Sequence, residues 1–277
     1  MDLIEAILVA LIQGATELFP VSSLGHAVVL PALLHFSLDE KSPEFLPFLV
    51  LLHLGTAAAL LLYFWRDWWL LLVGVLGLAS AHQRQESRRV LARIIVATIP
   101  AVIVGYLLEK FLRGLFGAPL VAAAFLVVNG LVLAVGERIR TMGHRPLSAL
   151  TLTDALVIGC SQCAALIPGI SRSGVTIVAG LLRGVDHEGA AHFSFLIATP
   201  IILGATALEV PKLLKATVAP GVFATAGIAA AVAGVTALLT TWFLMRYFRR
   251  NDDMALNPFA AYCVVGGLGS LAWLLLH

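Results

Sequence analysis

The sequence predicts an all-α polytopic membrane protein with six full transmembrane crossings and two re-entrant helical hairpins related by an inverted repeat. Three observations carry that reading. Hydrophobic residues are 60% of the 277 and charged residues only 12%, against about 45–50% and about 25% in soluble domains, and mean hydropathy is +0.97. Six apolar runs reach the roughly 20 residues that cross a bilayer core. Two further apolar regions are each interrupted by a break rich in Pro and Ser. A charge at the membrane centre costs about 2.5–3.5 kcal/mol on insertion scales, so a chain this poor in charge is built for lipid. Soluble enzymes, disordered tails and nucleic-acid modules are excluded. The net charge of +2 comes from scattered arginines, with no basic stripe to track a phosphate backbone.

The first broken region runs from about 3 to 36 and is interrupted at Phe19-Pro20-Val21-Ser22-Ser23. Asp2 and Glu5 precede its apolar run where a signal peptide would carry positive charge, so the start is expected to belong to the fold. Crossings are expected at about 45 to 65, 90 to 108, 117 to 137, 190 to 210, 219 to 245 and 255 to 276. Between the first two, Trp68 to Leu78 is too short to span and reads as an interfacial helix. Trp65, Trp68 and Trp69 beside Arg66 anchor it. The second broken region, about 152 to 183, is interrupted at Pro168-Gly169-Ile170-Ser171-Arg172-Ser173. Irregular backbone at membrane depth survives only against protein or a water-filled cavity, so both regions read as paired half-helices around a site.

Loop charges set the orientation. Eleven arginines between Arg66 and Arg250 fall on one side of the six-crossing arrangement, against Lys41, Lys110, Arg113, Lys212 and Lys215 on the other. The arginine-rich side is therefore expected in the cytoplasm, with the 37 to 44 loop and both termini outside. A gapless shift of 149 residues lays Glu5 on Asp154, Gln13 on Gln162, Ser22 on Ser171, Gly25 on Gly174 and Gly55 on Gly204. The chain is thus read as one integral membrane domain, 1–277, with inverted repeats of approximately 1–140 and 150–277. Cys160, Cys163 and Cys263 lie in apolar stretches without the further ligands zinc needs, and are read as packing thiols. Gly266-Gly267-Leu268-Gly269 is read as helix packing.

The first break places chemistry in a stretch that is otherwise lipid-like. Gln13 and Glu17 are four residues apart and share a helix face, and Ser22, Ser23 and His26 follow the break. Ser22 could simply cap the second half-helix, and His26 could bond a nearby carbonyl. Ionisable Glu17 and His26 around one break nevertheless point to a functional site. In the second break Arg172 has no acidic neighbour in its own hairpin. Its planar fork suits phosphate oxygens, with Ser171, Ser173, Thr176 and the amides of the following half-helix as further donors. The structural alternative is an Arg172–Glu17 ion pair across the repeats, which could also preorganise a site.

The stretch Gln13 to His26 resembles the (Glu/Gln)-x-x-x-Glu and Pro-Val-Ser-Ser-x-Gly-His signature of the undecaprenyl-diphosphate phosphatase family, also called the bacitracin-resistance protein family. Pro168 to Thr176 is similar to its Pro-Gly-x-Ser-Arg-Ser-x-x-Thr signature, and the resemblance covers essentially the whole chain. It implies a multi-pass enzyme of the bacterial plasma (inner) membrane that hydrolyses undecaprenyl diphosphate to the monophosphate, recycling the lipid carrier of cell-wall synthesis. The site would open to the outer side and depend on a divalent cation, Mg²⁺ or Ca²⁺. Its partners would be the lipid substrate and the bilayer, with a homodimer held open as its assembly. Carried over, Glu17, Ser23, His26 and Arg172 are catalytic candidates, while Ser22, Ser171, Arg172, Ser173 and Thr176 are phosphate-binding ones. Gln13 and Glu17 are the metal or positioning candidates. The chain departs from the pattern at Gln13, where many relatives carry glutamate, at Leu24, where threonine is common, and at His53, where glutamine is frequent. These departures bear on chain-length preference and metal dependence.

A diphosphate needs charge neutralisation and an in-line attacker. Ser23 with His26 as its base is the favoured pairing, with a phosphohistidine at His26 or cation-bound water as alternatives. A different class of membrane phosphatase carries Lys-x6-Arg-Pro and Ser-Arg-x5-His-x3-Asp segments, and neither occurs here. The rival function is a polyprenyl-phosphate transporter, since inverted repeats with broken helices also build alternating-access carriers. A carrier needs the phosphate grip but no attacker.

Overall fold

The computed structural model describes residues 3–34, 45–115, 117–141, 145–215 and 222–276. Its described residues are helical apart from turns and one isolated bridge between Arg145 and Val185. In chain order the helices are α1 (Leu3–Thr16), α2 (Ser23–Leu34), α3 (Phe45–Tyr63), α4 (Trp65–Val75), α5 (Ala81–Leu107), α6 (Glu109–Leu115), α7 (Pro119–Ile139), α8 (Leu152–Ser161), α9 (Arg172–Leu182), α10 (His187–Lys215), α11 (Val222–Arg250) and α12 (Asn257–Leu276). Short 3₁₀ turns precede α8 and extend it through Gln162–Leu166.

Among the described residues, five helices are long and apolar enough to cross a membrane: α5, α7, α10, α11 and α12. The crossing expected at 45 to 65 is α3, which meets α4 at a bend of 75°. That bend sets α4 where the interfacial helix was expected, three residues earlier than Trp68. The expected 37 to 44 loop lies outside the described residues. The helices α1, α2, α8 and α9 have 14, 12, 10 and 11 residues. At about 1.5 Å per residue none reaches across a hydrocarbon core of about 30 Å.

Both broken regions fold as helix, break and helix. The starts of α1 and α8 lie 149 residues apart, as do those of α2 and α9. The two breaks end in the same way. Ser22 Oγ accepts from the amide of Gly25 at 3.1 Å, and Ser171 Oγ from that of Gly174 at 3.1 Å, so each serine satisfies an orphan donor of the first turn.

The two pairs sit inside a frame of long helices, in which α7 packs on α12, α11 on α3 and α1, and α5 on α8. Small residues make the close crossings. A Cβ on Gly130 of α7 would meet the Ala260 carbonyl oxygen of α12 at 2.7 Å, and one on Gly14 would strike the Ala233 carbonyl of α11. Gly267 is packed on α7 in the same way, with Val127 N 2.9 Å from the position of a Cβ, whereas Gly266 and Gly269 face open space. The most enclosed element is α9, buried continuously from Ser173 to Leu181. The core around it draws Phe193, Phe195 and Ile197 from α10, Leu133 from α7 and Leu244 from α11. Cys160 and Cys163 are free thiols at the surface or half-buried, and Cys263 is a buried one.

At the end where α7 and α11 carry their arginines and α10 begins, His187 lies fully buried between two carboxylates. Its Nε2 is 2.9 Å from Glu137 and its Nδ1 2.7 Å from Asp252. Burial pushes the Asp252 carboxyl up, but hydrogen bonds from His187 outweigh it and hold the group below its ordinary range. Glu137 also accepts from the amide of Leu256 at 3.0 Å. The cluster ties the start of α10 to the turn before α12.

Candidate active site

The two breaks meet. A Cβ on Gly25 would stand 3.0 Å from the Cα of Gly169, so the tips touch glycine to glycine. Gly169 has φ +101 and faces the Ala122 carbonyl, a conformation and a gap that only glycine fits. Ser22 takes the left-handed region at φ 68, strained for a residue with a Cβ. Its hydroxyl donates to the Ile170 carbonyl at 3.1 Å across the junction. In return, Ser173 Oγ donates to the Phe19 carbonyl at 3.0 Å. Asn129 of α7 binds both tips, its Nδ2 donating to the Pro20 carbonyl and its Oδ1 accepting from the Ser171 amide, each at 2.9 Å.

Above this junction lies a cavity of about 280 Å³. Its polar lining includes Glu17, Ser22, Ser23, His53, Ser171 and Arg172, and its apolar lining includes Leu24, Leu166, Ile201 and Ile202. Glu17 is 8% exposed, and both its oxygens are engaged. Oε1 accepts from Arg172 at 3.0 Å. Oε2 accepts from Ser23 Oγ at 2.6 Å and from the Gln13 amide at 3.0 Å, with His53 Nε2 at 3.3 Å. The other arm of Arg172 donates to the Ser194 carbonyl at 3.1 Å. The guanidinium is thus held flat at the cavity wall, with 14% of its side chain exposed.

The ion pair between Arg172 and Glu17 is therefore present, and it leaves Glu17 as an acceptor for the Ser23 hydroxyl. His26 is directed elsewhere. Its Nδ1 lies 2.7 Å from the Ser22 carbonyl and must donate to it, so its Nε2 accepts from Tyr262 OH at 2.8 Å. The imidazole lines a different, small pocket with Ile12 and Pro31. The pairing expected between Ser23 and His26 is not the one the geometry makes, because Ser23 donates to Glu17 while both ring nitrogens of His26 are taken by the Ser22 carbonyl and Tyr262 OH. Ser173 and Thr176 do not line the cavity. Thr176 bonds Ser194 Oγ at 2.7 Å and the Arg172 carbonyl at 2.8 Å, and Ser173 bonds Ser171 Oγ at 3.0 Å, so both hold the second tip together.

The donor set does not make a resident cation site. Among the described residues Glu17 is the single carboxylate lining the cavity, a guanidinium stands 3.0 Å from it, and no three His, Cys, Asp or Glu side chains converge. Gln13 supplies an amide where a second carboxylate would be needed, and it is spent on Glu17 and His53. Magnesium is commonly held through one or two carboxylates plus substrate phosphates, and a cation would enter this cavity in that company. Asn129, Ser194 and Tyr262 were not singled out by the sequence reading. A lone asparagine in the apolar run 117 to 137 was the one available signal for Asn129.

The model of the bacitracin resistance protein BacA family matches residues 6–269. The chain belongs to that family. Among its relatives, the undecaprenyl-diphosphatase of Granulibacter bethesdensis is 64% identical over 99% of this chain and 97% of its own length. That of Acidiphilium cryptum is 57% identical over 96% of each. That of Gluconobacter oxydans is 49% identical over the whole of both chains. The BacA match spans both breaks, from the first turn of α1 to the last helix, so the described lining of the cavity lies wholly inside the matched region.

Proposed function

We propose that this chain hydrolyses undecaprenyl diphosphate to undecaprenyl phosphate and phosphate within the membrane, recycling the lipid carrier of cell-wall synthesis. The observation that carries the reading is the Ser23 hydroxyl donating to Glu17 Oε2 at 2.6 Å beside the Arg172 guanidinium. An alcohol on a buried carboxylate is an attacker beside its base, and the guanidinium is the planar donor a phosphate takes. The apolar lining of Leu24, Leu166, Ile201 and Ile202 gives the prenyl chain a surface to lie against. The relatives bearing this activity in their names support the substrate.

In this mechanism Arg172 receives the terminal phosphate, and Ser23 Oγ bonds to its phosphorus. The bridging P–O bond breaks, its electron pair leaving with undecaprenyl phosphate, and the Ser23 proton passes to Glu17 Oε2. Water then displaces the serine from phosphorus. Glu17 returns the proton to Ser23 Oγ, and the protons of water leave with the phosphate. A divalent cation travelling with the diphosphate oxygens would neutralise part of their charge.

The placement proposed for this chemistry is six crossings, formed by α3, α5, α7, α10, α11 and α12, around two re-entrant pairs, α1–α2 and α8–α9, as inverted repeats in one domain. The equal 149-residue offsets of the helix starts support it. The arginine-rich ends would lie in the cytoplasm of a bacterial inner membrane, with the cavity opening to the outer side. A homodimer is the proposed assembly to test by mass in detergent. Release of phosphate from undecaprenyl diphosphate by the purified protein, with Mg²⁺, Ca²⁺ or chelator, tests the reading. No release under any of these conditions would transfer the case to a carrier.

A further inference from the structure

The first turns of α5 carry three arginines on one outward face. Ala81, Arg84, Gln85, Arg88, Arg89 and Ala92 recur every three to four residues and line a shallow groove of about 340 Å³. No carboxylate lines it, and among the described residues none pairs with Arg84, Arg88 or Arg89. Arg140, Arg145 and Arg249 of the same end are each neutralised by one. Arg84 is held by the Gly77 carbonyl at 2.9 Å, and Arg88 and Arg89 are exposed. The helix packs on protein by its other side, through Ser87, Ile94, Ala97 and Ala101.

The length of the helix sets the depth of this face. At about 1.5 Å per residue, Val90 to Leu107 measures about 27 Å, close to the hydrocarbon core of about 30 Å, which leaves Arg84, Arg88 and Arg89 at headgroup level. Arg93, one turn deeper, turns its guanidinium to the Leu147 and Ser148 carbonyls. Packed on α5, α4 exposes Trp65 and Trp69, residues that favour the membrane–water boundary. Beyond Ala92 the same face of α5 continues with exposed Ile95, Ile99, Val102 and Ile103.

We propose that this face binds an anionic phospholipid, with its phosphate between Arg88 and Arg89, Arg84 and the Gln85 amide flanking it, and an acyl chain along Ile95, Ile99 and Val102. Guanidinium groups match phosphate oxygens in charge and geometry, and each basic residue at a membrane surface strengthens the hold on anionic lipid by about fivefold. The apolar continuation selects a lipid over a free phosphate, which would use the arginines alone. None of these residues lines the cavity that holds Glu17 and Arg172, which takes Ala101 from the buried side of α5. The lipid here is thus a neighbour of the fold and not the molecule in the cavity.

The test is binding of phosphatidylglycerol, in detergent at low ionic strength, to delipidated wild type and to the double variant Arg88→Gln, Arg89→Gln, read by native mass spectrometry and by the midpoint of thermal unfolding. Phosphatidylcholine with the same acyl chains and glycerol phosphate, a headgroup without chains, are the comparisons. Wild type should prefer phosphatidylglycerol to phosphatidylcholine by at least about 25-fold, with a raised midpoint, and the double variant should lose about that factor, fivefold for each arginine removed. Glycerol phosphate at the same concentration should not displace the lipid. Should the double variant fail to fold, Arg89→Gln alone carries the comparison with a loss of about fivefold, and the wild-type preference is read without any variant. Equal affinity for the two lipids, or a preference that the double variant retains, overturns the inference. Displacement of phosphatidylglycerol by glycerol phosphate overturns it as well, since the face would then take the anion alone.

Discussion

Ser23 Oγ and Glu17 Oε2 are 2.6 Å apart, although the two residues stand six positions apart across a proline-containing break. The contact pairs the serine with a carboxylate and leaves His26 to hold the Ser22 carbonyl and Tyr262 OH. His26 then matters through the strained turn at Ser22, whose φ is 68. His26→Ala should lower kcat, and His26→Asn, which can still donate to the Ser22 carbonyl, should recover at least tenfold of the loss. No recovery by His26→Asn would show that the imidazole takes part in proton transfer itself.

Arg172 divides its fork between Glu17 and the Ser194 carbonyl, so its plane is fixed before any phosphate arrives. Arg172→Lys keeps the charge but cannot span both acceptors, and should cut turnover by about 100-fold or more at unchanged fold. Arg172→Ala should lose binding of the diphosphate lipid as well. Near-normal turnover in Arg172→Lys would assign the residue a structural role only.

Asn129 is fully buried and spans the two tips. Asn129→Leu would leave the Ser171 amide without a partner, at about 1–3 kcal/mol, and the Pro20 carbonyl with only the weak Cys263 thiol donor at 3.9 Å. The expected result is a lower midpoint of thermal unfolding together with lower activity, because the tips carry Ser22 and Arg172. An unchanged midpoint would mean that the tips are held by their serines alone.

The breaks at Phe19–Ser23 and Pro168–Ser173 were legible because Pro and Ser punctuate helices in any solvent, and capping by Ser22 and Ser171 follows from local geometry. That the two tips would meet was legible from charge, since Arg172 had no acidic neighbour in its own hairpin and Glu17 stood at the other break. The partners of His26 and Ser23 were not, because nearness in sequence leaves open which group each side chain bonds, and it is α12 that brings Tyr262 to His26 while Glu17 takes Ser23. Asn129, and the place of His53 beside Glu17, were hidden for a different reason. Each is one polar residue in a long apolar run, and only the packing of α7 and α3 against the breaks reveals what it bonds.

Gln13 tests the cation's place. Gln13→Glu would bring a second carboxylate to within about 3 Å of Glu17, where only a cation or a protonated His53 relieves the repulsion. The variant should fold, retain activity with Mg²⁺ or Ca²⁺, and bind Ca²⁺ in the absence of lipid, measured by calorimetry. Wild type should show no such binding without the diphosphate. Tight Ca²⁺ binding by substrate-free wild type would contradict the account of its donor set.

The central claim is that Ser23 attacks and Glu17 takes its proton. It is tested most directly by measuring phosphate release and lipid binding together, on purified wild type, Ser23→Ala and Glu17→Gln in detergent, where no second compartment exists and transport cannot contribute. General base assistance alone is worth about 10²- to 10⁴-fold. Both variants should lose at least about 100-fold in phosphate release, with Ser23→Ala still binding undecaprenyl diphosphate. Phosphate release by Ser23→Ala at the wild-type rate would contradict the assignment.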